Sequence, residues 1–95
     1  MLEGSTGIAD ALAHLDALIG LLGRLGIPVR REHLGGAGGG ICTIRGARVM
    51  FDDLDADRVT RVQSAAKALG SLPDAESVYI PPAIRDLIEQ AMAEE

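Results

Sequence analysis

Ninety-five residues with a net charge of −5 and 47% apolar side chains make a chain of one domain's size, too apolar for general disorder. The acidic balance opposes general nucleic-acid binding, and a single cysteine excludes an internal disulfide and a cysteine-built zinc site. Phe51 and Tyr79 are the only phenyl-type rings, so the core must come from Ala, Leu, Ile and Val, and it is thin enough to gain from association.

The start, Met1-Leu2-Glu3, lacks a basic leader region, which predicts a cytoplasmic protein without a secretory signal. Residues 1–6 read as a frayed end, with Ser5 or Thr6 as a helix cap and Asp10 in the first turn. A first helix follows from about Ile8 to Leu25. Leu12, Leu15, Ile19 and Leu22 form one apolar stripe, and Leu18, Leu21 and Leu25 form a second beside it. So wide an arc predicts either cover by the last helix or a self-association surface at Leu18, Leu21 and Leu25. The run is too short and too broken by Gly20, Gly23 and Arg24 to cross a bilayer. Gly26 and Pro28 end the helix.

Ile27 to Leu34 reads as a charged edge strand, since Pro28 lacks a ladder donor. Gly35 to Gly40 is a glycine-rich loop. Ile41 to Phe51 then reads as a β-hairpin about Gly46 and Ala47, in a type II′ turn with glycine first. That register pairs Cys42 with Phe51, Thr43 with Met50, Ile44 with Val49 and Arg45 with Arg48. It predicts Cys42, Ile44, Val49 and Phe51 as the core face, and Thr43 and Met50 as the wet face.

Asp52, Asp53, Asp55 and Asp57 close the strand, with Asp53 or Asp55 as the cap of a second helix over about Ala56 to Leu69. Val59, Val62, Ala66 and Leu69 should face inward, and Arg58, Arg61 and Lys67 outward. Val78 to Ile80 reads as a short fourth strand. Pro81-Pro82 opens a last helix whose apolar face is Ile84, Leu87, Ile88, Ala91 and Met92. The expected fold is therefore a single α+β domain over residues 1–95, in the order αβββαβα. Its three- to four-stranded sheet would be an antiparallel meander plus a short strand, with the helices on one face.

The most tempting chemistry is the loop, because backbone N–H groups of glycine-rich turns can cradle an anion. Gly35, Gly36, Gly38, Gly39 and Gly40, with Arg31, Arg45 and Arg48 nearby, make the candidate site. The loop leads into a strand, and no Lys-Ser or Lys-Thr follows it, so it is not a P-loop. Asp53, Asp55 and Asp57 open like a calcium loop, but Arg58 stands where glycine is needed and Ser64 where the bidentate Glu belongs. Capping explains these acids better, and no metal or other cofactor is expected. Cys42 and His33 fall on strands expected to be neighbours, but the cysteine is expected in the core, so no catalytic residues are assigned. The reading is a small non-catalytic interaction or accessory module. Its expected partner is a second copy or another protein, neither a membrane nor nucleic acid. The alternative is a regulatory domain taking an anionic small molecule at the loop.

Overall fold

Apolar side chains at helical spacing put one face of α1 (Glu3–Arg24) against the rest of the molecule. The computed structural model describes residues 3–93, with side chains for 13–93. The expected cap at Ser5 or Thr6, Asp10 in the first turn and the inward Leu12 lie outside the described side chains. The helical backbone begins at Glu3, five residues before the expected Ile8. It ends in a Schellman turn: Ile27 N–H reaches the Leu22 carbonyl at 3.0 Å and Gly26 N–H the Gly23 carbonyl at 3.0 Å, with Gly26 at φ +81°.

Among the described residues the fold is α+β, with three α-helices and a three-stranded mixed sheet. The strands are β1 (Val29–Glu32), β2 (Gly39–Ile44) and β3 (Ala47–Asp53). Then come α2 (Arg58–Gly70), a 3₁₀ turn at Ala75–Ser77 and α3 (Pro82–Ala93). The expected strand at Val78–Ile80 does not form. Ile80 is buried among the helices and Tyr79 is exposed, so the segment anchors α3 without joining a ladder.

The sheet is not a meander. Its order is β1-β3-β2, with β2 antiparallel and β1 parallel to β3. The loop after β1 therefore steps over the end of β3, a sideways move of about 9–10 Å at ordinary strand spacing. A run of small residues, Gly35 to Gly40, makes that arch.

The hairpin forms, but its turn is centred one residue earlier than expected, so each pairing partner is shifted by two. Ile44 pairs with Ala47, Thr43 with Arg48, Cys42 with Val49, Ile41 with Met50 and Gly40 with Phe51. Arg45 at φ 54° and Gly46 at φ 83° are the two turn residues, the positive pair that marks a type I′ turn. The same residues still share a face, but the sheet presents the opposite face to the helices. Met50, 1% exposed, points under the helices with Ile41 and Val29, whereas Cys42 and Ile44 are exposed and Val49 and Phe51 half-buried. The physical reason lies in the neighbouring strand. Arg30 stands beside Phe51, and turning Phe51 inward would carry Arg30 beneath the helices. With Phe51 outward, the guanidinium sits over its ring at 5.4 Å from the centroid, in reach of water.

α1 and α2 cover the inner face of the sheet, and α3 packs against them. α2 crosses β2 and β3 and lies along α1 and α3, so the buried cluster joins Leu15, Leu18 and Leu22 of α1 to Val62, Ala66 and Leu69 of α2 and Ile84 of α3. Leu18 and Leu21 are thus buried within the chain and Leu25 packs against the same cluster. These three leucines form no free association surface, because α2, more than the last helix, covers the arc. Val59, expected inward, is 60% exposed one turn outside this contact.

Candidate functional site

The loop arches over the end of β3, and β3 ends in two buried carboxylates. Asp53 is fully shielded from solvent, Asp52 2% exposed. A buried carboxylate needs partners, and a loop of backbone N–H groups needs acceptors. Each supplies the other. Leu34 and Asp55 donate their N–H groups to Asp53 Oδ1 at 3.0 and 2.9 Å. Gly36 and Gly38 donate to Oδ2 at 2.8 and 3.1 Å. Burial pushes the Asp53 carboxyl up, but these four donors outweigh it and hold its pKa down at about 2.

Asp55 repeats the device at the rim. It accepts from His33 Nδ1 at 2.8 Å and from Gly35 N–H at 2.9 Å, and these two contacts hold its pKa below the usual carboxylate range. The helix cap is Asp57, neither Asp53 nor Asp55: its Oδ1 accepts from Thr60 N–H at 2.8 Å. The reason is that Asp53 and Asp55 already face the loop when the helix starts.

Asp52 turns the other way, under α2. Arg61 grips it with two parallel bonds, Nε to Oδ1 at 2.9 Å and Nη2 to Oδ2 at 2.6 Å, and Arg31 Nε stands 3.5 Å from Oδ2. That hydrogen-bonded carboxylate raises the Arg61 pKa, against burial. Arg61, expected to face solvent, instead ties α2 to the sheet.

These contacts redefine the anion site. The N–H groups of Gly35, Gly36 and Gly38 already face carboxylates of the same chain. Gly39 and Gly40 belong to β2. A Cβ on Gly39, at φ +80°, would run into the Phe51 carbonyl oxygen, so glycine there serves the close crossing of the two strands. Arg31 is near Asp52, but Arg45 and Arg48 lie at the opposite end of the hairpin, a strand's length from the loop. Arginines and loop are not brought together. Cys42 and His33 part likewise: the thiol is exposed opposite Val49, and the imidazole is engaged by Asp55.

The surface that sequence reasoning missed is the hairpin's open side. The outer sheet face carries Cys42, Ile44, Val49 and Phe51, with Ile44 at 40% exposure, and the helices all lie on the other face. Beneath the free edge of β2 runs a groove of about 420 Å³, lined by Gly40, Ile41, Ser64, Ala68 and Met92 among others. A second, of about 500 Å³, lies between α2 and α3 around Leu69, Ile80 and Ile88, with the exposed Arg85–Glu76 ion pair (3.3 Å) at its lip. The signal for the open side was present in the alternation of Arg30 with Val29: the strand beside β3 can bury only one of the two.

No protein-family model, curated protein or solved structure matches this chain. Among the described residues no helix is long and apolar enough to cross a membrane, and no group of three or more His, Cys, Asp or Glu side chains is placed to hold a metal ion.

Proposed function

We propose that the chain is a small non-catalytic interaction module that associates with a second copy of itself through the helix-free side of the hairpin. One observation carries the reading: four apolar hairpin side chains, Cys42, Ile44, Val49 and Phe51, stand outside the core on one continuous sheet face. Leaving such a strip to water forgoes burial of about 25 cal/mol per Å², which a second protein surface recovers. The polar groups of the loop favour a structural role over a ligand site. An incoming anion would have to displace Asp53, whose four amide bonds are already made.

Light scattering across a concentration series tests the proposal. The expected result is a mass that doubles between about 10 μM and 1 mM, the range of a small interface. A mass that stays at 9.9 kDa throughout rejects it.

A further inference from the structure

The two edges of the sheet differ in kind. β1 is guarded: Arg30, Arg31 and Glu32 follow Pro28, the devices that keep a strand edge from pairing. β2, Gly-Gly-Ile-Cys-Thr-Ile, has neither charge nor proline. Its free groups can be assigned. Met50 N–H bonds the Pro28 carbonyl at 2.9 Å, on the β1 side. Met50 therefore does not exchange bonds with Ile41 opposite it, and ladder alternation turns the N–H and C=O groups of Ile41 and Thr43 to the open edge.

We propose that a second copy of the chain pairs with this edge, β2 against β2 antiparallel, with the two-fold axis at Cys42, extending the sheet to six strands. The inference rests on the self-association reading above and narrows its contact to the β2 edge: Cys42 and Ile44 meet the partner across the seam, whereas Val49 and Phe51, on β3, stay outside it. Three features favour a copy over a foreign strand. An antiparallel copy sets the bare half of β2 against the bulky half of its twin, so that Gly40 lies opposite the partner's Ile44. It brings no like charges together, since β2 has none. And the partner's Thr43, opposite Ile41 on the inner face, stands at the mouth of the groove lined by Ile41, Ala68 and Met92. The axis falls at Cys42 because Ile41 to Thr43 is the regular part of the strand, while Gly39 and Gly40 sit at φ +80° and +140°. Ile41 then exchanges both bonds with the partner's Thr43, and Thr43 with the partner's Ile41. Because the other edge is guarded, pairing stops at two copies.

Amide hydrogen exchange of the whole chain, measured from about 10 μM to 1 mM, reads the geometry directly. The expected result is that the Ile41 and Thr43 amides slow at least tenfold at the upper concentration. Cys42 amide exchange should stay unchanged, because that group is bonded to β3. In the wide pair at the axis the two Cys42 Cα atoms stand about 4.5 Å apart, within disulfide range. Diamide, which takes up the two thiol hydrogens, should then link the copies, and Cys42→Ala should abolish the link. Thr43→Pro removes an edge-facing N–H without touching the ladder to β3, and should stay folded and monomeric. Should that variant fail to fold, the wild-type exchange data decide. Doubling of mass with protection elsewhere overturns edge pairing and leaves self-association standing. A strict monomer at 1 mM overturns both, including when the edge instead takes an added extended peptide.

Discussion

The two ends of the hairpin treat their backbone in opposite ways. At the β3 exit the amides of Leu34, Gly35, Gly36 and Gly38 meet carboxylates, and Asp53, with the Asp55 amide added, takes four bonds. At the turn end the β2 edge leaves the groups of Ile41 and Thr43 without a partner strand. Polar satisfaction is thus concentrated where the chain must hold an irregular path, and withheld where the path is regular. The locked end gains geometry from its buried charge. The open end keeps hydrogen-bonding capacity for another chain.

Asp53→Asn is the strongest way to break this contrast. The Asn amide would aim N–H groups at the Gly36 and Gly38 donors, so the arch loses its acceptor and gains a clash of donors. A fall in Tm of roughly 20 °C is expected in a thermal melt. Acid does the same reversibly. The folded-state pKa of Asp53 is depressed from 3.8 to about 2, so the unfolded chain binds the proton more readily. The contribution of this group is complete above about pH 5 and is lost as pH falls from about 4 to 2. Tm measured across that window should drop, and the drop should be shallower in Asp53→Asn. Arg61→Met comes next. It strips the bidentate partner from a buried Asp52 and leaves only Arg31, more distant and half-exposed. A loss of about 2 kcal/mol by urea denaturation is expected. The smallest effect is at the open end. Arg45 holds φ 54°, a conformation Asn tolerates better, so Arg45→Asn should stabilise by about 0.5 kcal/mol while leaving the edge untouched.

The helices were legible because their cues are local. Periodic leucines, the Gly26–Pro28 stop and the Pro81-Pro82 start each act within a few residues. The hairpin was legible in the same way, but its register was not. Gly46 permits either a II′ turn with glycine first or a I′ turn with glycine second, and Arg45 gives no sign of accepting a positive φ. The two turns differ by two residues in pairing, which leaves Cys42, Ile44, Val49 and Phe51 on one face either way; it is β1, with Arg30 beside Phe51 and Val29 beside Met50, that turns Met50 inward. The acids were misassigned for a different reason. Asp53, Asp55 and Asp57 look equivalent as caps after a strand. What separates them is that the loop crosses the end of β3, a fact of topology that no spacing within the cluster reveals. A usable cue existed in the loop itself: glycines at 36 and 38 leave backbone donors that must find acceptors, and Asp53 is an acidic group at the end of the strand they cross.

The position of β1 also sets the order in which parts of the molecule let go. β2 and β3 are neighbours in sequence and close over a two-residue connection, whereas β1 reaches β3 only across the arch and the whole hairpin. Residues 29–38 therefore form a flap held along one side by a four-residue parallel ladder and at its tip by Asp53. Releasing Asp53, by acid or by Asp53→Asn, should therefore free this flap before the hairpin melts, and brief protease exposure of that variant should nick first near Gly35.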